Sequence, residues 1–189
     1  MHKLLVKLIL LFKIDIIIGK LRRLIISAEV ERYSRRTNCH INFVPQGFNG
    51  IQIGSYNGDL SGFSIDRTSH LKSDTFIDCS GGVTIGKYFH TGKGLTIFSS
   101  NHNYNSDTHI PYDTTVVKKP VIIKDFVWCG SNVSIVPGVT VGEGVVIGAN
   151  TVVTKDVPDY AVIGGNPARI IKYRDVDLFN RLKERGQFY

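Results

Sequence analysis

From Ile123 onward the chain repeats itself every six residues. The series Ile123, Cys129, Ile135, Val141, Ile147 and Val153 is followed, four residues after each member, by Val127, Val133, Val139, Val145, Thr151 and Val157. All twelve are small to medium in size and apolar or β-branched. Gly130, Gly142 and Gly148 directly follow members of the first series. An amphipathic helix repeats every ~3.6 residues and a half-buried strand every ~2, so a period of six is neither of them as a single element. It fits short β segments joined by tight turns, with Gly or Asn supplying positive φ. Units that repeat in this way bury their apolar sides by stacking on their neighbours.

The same period runs upstream. Ile65, Leu71 and Ile77 are in phase, a two-residue insertion around Gly81-Gly82 resets the frame, and Ile85, Thr91 and Ile97 continue it. An irregular stretch from Ser99 to Pro120 intervenes before Ile123, and the Gly-rich residues 41–62 begin the first coil. The pattern resembles the hexapeptide solenoid, an all-β fold in which three hexapeptides build one triangular coil of a left-handed parallel β-helix. The hand comes from the resemblance, since strand crossovers otherwise favour the right-handed sense. The expected layout is a basic, apolar helical segment over 1–40, the β-helix over 41–172 with a loop at 99–120, and a helical tail over 173–189.

The chain has 189 residues and a formal charge of +7, unevenly spread. Residues 1–36 carry nine Lys/Arg against Asp15, Glu29 and Glu31; residues 37–168 carry eight against ten acidic residues; residues 169–189 carry six against three. A nucleic-acid binder presents a basic face on its folded body, whereas this body is mildly acidic, so no nucleic-acid partner is expected. Residues 3–26 are strongly apolar, but Lys7, Lys13, Asp15 and Lys20 interrupt them. A spanning helix needs ~20 uncharged residues, and a secretory signal needs an unbroken apolar core and a small-residue cleavage site. The segment reads instead as an interfacial helix. Leu5, Leu8, Ile9, Phe12 and Ile16 share one face and Lys3, Lys7, Lys13 and Lys20 lie mostly on another, which suits an anionic membrane surface. Packing on the protein itself or on sister subunits is the other reading of this segment. Cys39, Cys79 and Cys129 are odd in number, far apart and without a C-x-x-C, so neither a disulfide framework nor a zinc site is expected. Free thiols suit a cytoplasmic protein, here one in peripheral contact with the inner face of the membrane.

The stretch Val121–Lys172, with VWCGSNVSIVPGVTVG, TKDVP and GGNPARII, closely resembles the hexapeptide-repeat acyltransferases, and the resemblance extends back to Ile65. Maltose and galactoside O-acetyltransferases and capsule and O-antigen acetyltransferases are the members it is set beside. The resemblance implies a homotrimer with sites between subunits and direct transfer of acetyl from acetyl-CoA, without a metal, to a sugar or glycan. It also implies a catalytic base in an irregular loop just after a repeat. Here that position is His102, in Ile97–Tyr104, with Asn103 where the family has Pro. A sugar hydroxyl is a poor nucleophile until its proton is taken, and histidine, with an ordinary pKa near ~6.5, suits that role.

Carried over residue by residue, the resemblance places Trp128 near the thiol end of acetyl-CoA and the backbone of Ser131 and Ala149 along the pantetheine arm. It places Thr154 and Lys155 in the lower groove, and Arg169 and Lys172 near the adenosine phosphates, where cations pair well. An acceptor-contacting Asn of the sugar acetyltransferases would fall near Lys72, so that residue is absent, and maltose or a simple galactoside is not the expected acceptor. Asp78 and Tyr104 are the candidates for acceptor contact, Asp78 equally a turn residue. No phosphate-binding glycine loop precedes a helix. The leading reading is an O-acetyltransferase of surface polysaccharide. An N-acetyltransferase of a nucleotide-linked amino sugar is the alternative. A zinc carbonic anhydrase would need three convergent histidines, which the spacing of His90, His102 and His109 fits poorly. A non-catalytic scaffold would need neither the histidine loop nor NPAR.

Overall fold

The computed structural model describes residues 1–189. The chain is mostly short strands, with helices at its two ends. Helix α1 covers His2–Leu11 and α2 covers Ile14–Thr37. The first coil contains β1 (Asn42–Val44), β2 (Ile51–Gly54) and β3 (Phe63–Ile65). The second contains β4 (His70–Lys72), β5 (Thr75–Asp78) and β6 (Val83–Ile85). The third contains β7 (His90–Thr91) and β8 (Thr96–Phe98), the hairpin β9 (Ser100–His102) and β10 (Val116–Lys118), and β11 (Val121–Ile123). The fourth contains β12 (Trp128–Cys129), β13 (Ser134–Ile135) and β14 (Thr140–Val141). The last contains β15 (Val146–Ile147), β16 (Val152–Val153) and Val157, which bridges to Val141. The chain ends in β17 (Ala161–Gly164), β18 (Arg169–Tyr173) and helix α3 (Val176–Glu184).

Apart from the hairpin, the strands from β1 to β16 visit three sheets in strict rotation. Face A contains β1, β4, β7, β12, β15 and β17; face B contains β2, β5, β8, β13 and β16; face C contains β3, β6, β11 and β14. Pairing within these coils is parallel and puts equivalent repeat positions in register: Ile65 on Ile85 on Ile123 on Val141, and Ile77 on Ile97 on Ile135 on Val153. From β11, β12 and β13 to β14, β15 and β16 partners lie 18 residues apart, as Ile123 and Val141 do, and the last coil is shorter, with Val141 on Val157 and Ile147 on Ile163, 16 apart. The coil from Ile65 to Ile85 takes 20 residues, and the one from Ile53 to Ile77 takes 24. All twelve repeat positions from Ile123 to Val157 are buried. Each fully buried Val or Ile contributes roughly 1.5–3 kcal/mol, and the stack forms one continuous core.

The left-handed residues at these turns are Phe126, Asn132, Gly138, Gly144 and Asn150, again six apart; four of the five are the expected Gly or Asn, and Phe126 is the departure. Gly130, which follows an inward position, is needed for closeness: a Cβ there would stand 2.6 Å from the backbone nitrogen of Ala149 in the next coil. Asn132 and Asn150 join successive coils, the Nδ2 of one donating to the Oδ1 of the other at 3.2 Å. Tyr88 and Phe126 hold left-handed conformations that cost a bulky residue energy. Their rings stack at 5.1 Å, giving that corner an aromatic spine.

The edge of face A is closed by β18, which turns back antiparallel on β17. This covers backbone groups that would otherwise pair with another chain. Helix α3 lies along the corner between faces C and A, not over the end of the stack. Its Phe179 packs edge-on against Phe126 and Tyr160, in the gap left by Gly144. Lys183 pairs with Glu143 on the same corner. At the other end, α2 lays Ile26 and Val30 into the core of the first coil. The single interfacial helix expected from the sequence is two helices, broken at Lys13 with φ 52.

On face A the rings of His70 and His90 lie 4.4 Å apart. Burial first, then His90 and Lys72, push the pKa of His70 down to about 4. Between about 6.5 and about 4 the unfolded chain takes up a proton that the folded chain refuses. Stability should therefore fall as pH drops through that window, and His70→Gln should flatten the fall when melting temperature is followed against pH. Replacing the buried Ile135 by Ala should cost about 2–5 kcal/mol in urea unfolding.

Candidate active site

The hairpin leaves the stack at the corner between faces B and C. His102 ends β9 opposite Val116 of β10. Its ring is exposed and stacks on Tyr112 at 3.9 Å and 17°. The root of the hairpin is fixed by Asp78. The carboxylate of Asp78 accepts from the backbone and hydroxyl of Ser80, from the Ser99 amide at 3.3 Å and from the Ser100 hydroxyl at 2.6 Å. Burial alone would raise its pKa, but these hydrogen bonds outweigh it and hold the carboxyl below its ordinary value. Both oxygens are thus engaged inside the chain.

Asn103, standing where the family has Pro, donates from Nδ2 to Asp113 at 2.8 Å, and Asp113 also accepts from the Thr115 amide at 2.8 Å. The Thr115 amide leads the groups that lower the Asp113 pKa to about 2. Asn103 and Asp113 clasp the two arms of the loop and keep its tip from splaying. Sequence reading missed this clasp and Tyr112, because partners ten residues apart in an irregular loop leave no periodic trace. Asn101, His102 and Tyr104 line a cleft of ≈ 380 Å³ with Lys119, Val136 and Pro137. A second hollow on the other side of His102 is lined by Tyr56, His109 and Tyr112.

The other candidates fall into two columns. Thr154 and Lys155 follow β16 on the same B-to-C corner, one coil below Val136 and Pro137. Ser131 and Ala149 lie on the corner between faces A and B, in consecutive coils. Arg169 pairs with Gly164 at the foot of that corner, and Lys172 pairs with Val162 on face A. Trp128 is 54% exposed on face A, between His90 and Val146. Its hollow is lined by Phe126, Arg174, Phe188 and Tyr189 and contains none of the residues around His102. Face B, with Thr96, Ser134 and Val152 in one row, separates the two columns. Within one chain the structure joins His102 and Tyr104, sets Thr154 and Lys155 on their corner, and leaves Trp128, Ser131, Ala149, Arg169 and Lys172 apart.

Among the histidines, His90 sits beside His70 on face A while His102 and His109 are in the loop. No three His, Cys, Asp or Glu side chains of one chain converge.

Residues 120–155 match the family model described as bacterial transferase hexapeptide (six repeats). The chain is 32% identical over 147 residues to a chloramphenicol acetyltransferase of Klebsiella aerogenes, an alignment covering 67% of this chain and 69% of that protein. The chain belongs to the hexapeptide-repeat acyltransferases. A further relative, the Escherichia coli K12 protein WbbJ, named for O-acetyl transfer in lipopolysaccharide biosynthesis, is 41% identical over 99 residues. That alignment takes in 48% of this chain and only half of WbbJ. Among solved structures, the hexapeptide-repeat acetyltransferase VCA0836 of Vibrio cholerae, complexed with acetyl coenzyme A, superposes with a TM-score of 0.63 at 27% identity, over 77% of each chain.

Asp113→Ala should open the clasp of the loop. Hydrogen exchange at the Asn103 and Thr115 amides should rise, while the melting temperature of the buried stack stays unchanged.

Proposed function

We propose that this chain transfers the acetyl group of acetyl-CoA to a hydroxyl of a sugar in a surface polysaccharide, with His102 as the base. The observation that carries the reading is the placement of His102: an exposed imidazole, backed by Tyr112, at the mouth of a cleft on a clasped hairpin. Two likenesses support it. VCA0836 was solved with acetyl-CoA, and WbbJ is named for O-acetyl transfer in lipopolysaccharide synthesis. The triangular coil is left-handed, as the family resemblance implies, and the working unit spans residues 41–172 between a helical segment over 1–40 and a tail over 173–189.

In the proposed reaction the imidazole of His102 takes the acceptor hydroxyl proton as the oxygen attacks the thioester carbonyl. The new C–O bond forms, the C–S bond breaks, and the proton passes from the imidazolium to the departing CoA sulfur. A base of this kind contributes about 10²–10⁴-fold. Tyr104, on the cleft wall, contacts the acceptor, whereas Asp78 acts as a positioning residue through Ser99 and Ser100.

The two columns on separate corners support a cyclic homotrimer. Such a ring sets the A-to-B corner of one chain against the B-to-C corner of the next, a heterologous contact that closes. Ser131 and Ala149 then face the neighbour's Thr154, Lys155 and His102 across one groove, with Trp128 at its thiol end. Arg169 and Lys172 supply cations for phosphates.

His102→Ala should lower turnover of acetyl-CoA with a polysaccharide acceptor at least 100-fold, within the range for loss of a general base. Its melting temperature should match that of the parent, because the ring is exposed. Thiol release and acetyl-ester signals in the product's NMR spectrum report the activity. A variant that keeps near-full rate would overturn the assignment.

A further inference from the structure

Helix α2 has two apolar faces. Ile26, Val30 and Thr37 are buried against the first coil. Ile14, Ile17, Leu21 and Leu24 lie about 180° round the helix, given ~3.6 residues per turn, and all four are exposed. Helix α1 buries none of its residues. Its Leu4, Leu5, Leu8, Leu11 and the following Phe12 share one side and are exposed, while Lys3 and Lys7 lie on the other. The two helices thus present a continuous run of uncovered large apolar side chains, far beyond the scattered ones ordinary on a surface.

Charge selects the occupant. Residues 1–23 carry Lys3, Lys7, Lys13, Lys20, Arg22 and Arg23 against a single acid, Asp15. Covering the surface with further copies of the same segment would gather like charges beside every apolar contact. An anionic bilayer satisfies both features: apolar side chains enter the acyl boundary and the ammonium and guanidinium groups meet headgroup phosphates. No helix of the chain is long and apolar enough to cross a membrane, so the segment lies in the interface plane.

We propose that α1 and the outer face of α2 dock this chain on an anionic membrane surface, with the inner face of α2 fixing the β stack to that surface. The inference rests on the uncovered faces and their charge, and stands apart from the acetyl-transfer reading. The attachment is rigid on the protein side. Arg22 donates from Nη2 to Asn49 at 2.6 Å, and Arg36 donates to the Gly58 carbonyl at 2.8 Å. The His102 hairpin leaves the third coil, two coils from α2, or about 10 Å along the stack at the usual strand spacing.

The test is flotation of the purified full chain with vesicles, either phosphatidylcholine alone or phosphatidylcholine mixed with phosphatidylglycerol. The chain should float with the mixed vesicles, only weakly with the neutral ones, and be released by salt. Lys3→Gln combined with Lys7→Gln should weaken binding roughly 30-fold, at about 1 kcal/mol per lysine near an anionic surface. Leu8→Glu with Leu21→Glu should abolish it while leaving the melting temperature unchanged, since both side chains are uncovered. Failure of the folded parent chain to float with anionic vesicles would overturn the proposal. So would equal, salt-insensitive flotation with both vesicle types. Dissociation of an oligomer by Leu21→Glu with no vesicle binding by the parent would assign the face to contacts between copies instead.

Discussion

The structure depends on one constraint: each inward side chain must land on its equivalent in the coil above and below. Ile77, Ile97, Ile135 and Val153 form such a pile, and so do Ile65, Ile85, Ile123 and Val141. A core this narrow gives each position a small choice of size. A longer side chain would push neighbouring coils apart, and a shorter one would leave a gap that both faces share. Extra residues can therefore be inserted only where a strand has ended, at a corner. That is where the His102 hairpin emerges, between β8 and β11, with β13 continuing beneath as though nothing had been inserted.

Chemistry in such a molecule belongs to corners. The faces are ladders of backbone hydrogen bonds with alternate residues pointing out, whereas corners expose turns, glycines and loops. The hairpin is held twice, by the Asp78 carboxylate at its root and by the Asn103–Asp113 clasp nearer its tip. Both devices restrict His102 before any ligand arrives, so less ordering remains to be done on binding. The candidate residues on the A-to-B corner have no such partner within their own chain, and this is why the proposed groove needs a neighbouring subunit.

Legibility in the sequence followed physical cause. Residues 123–153 could be read because every corner there has the same length and the core admits a narrow range of side chains. The coil between Ile53 and Ile77 was obscure because its turns are longer, although its strands stack in the same way. Left-handed conformations at Tyr88 and Phe126 could not be foreseen, since aromatic residues rarely adopt them and do so here within a stack of rings. His102 stood out by its place in the break of the repeat together with the family resemblance. Its supports did not, because a clasp between Asn103 and Asp113 depends on how the loop folds back. The break between α1 and α2 at Lys13 was equally silent, lying within an unbroken helix-forming stretch.

The seat of Phe179 in the gap at Gly144 has a consequence for how such a molecule can change length. Its ring reads Phe126 above and Tyr160 below, so α3 is indexed to one level of the stack. Duplicating an eighteen-residue coil between those levels would preserve every inward contact and still misalign the tail's socket. Growth or shortening of the prism by whole coils is thereby confined to the levels before Phe126, and the distance from the tail to the His102 hairpin becomes a fixed gauge of the molecule.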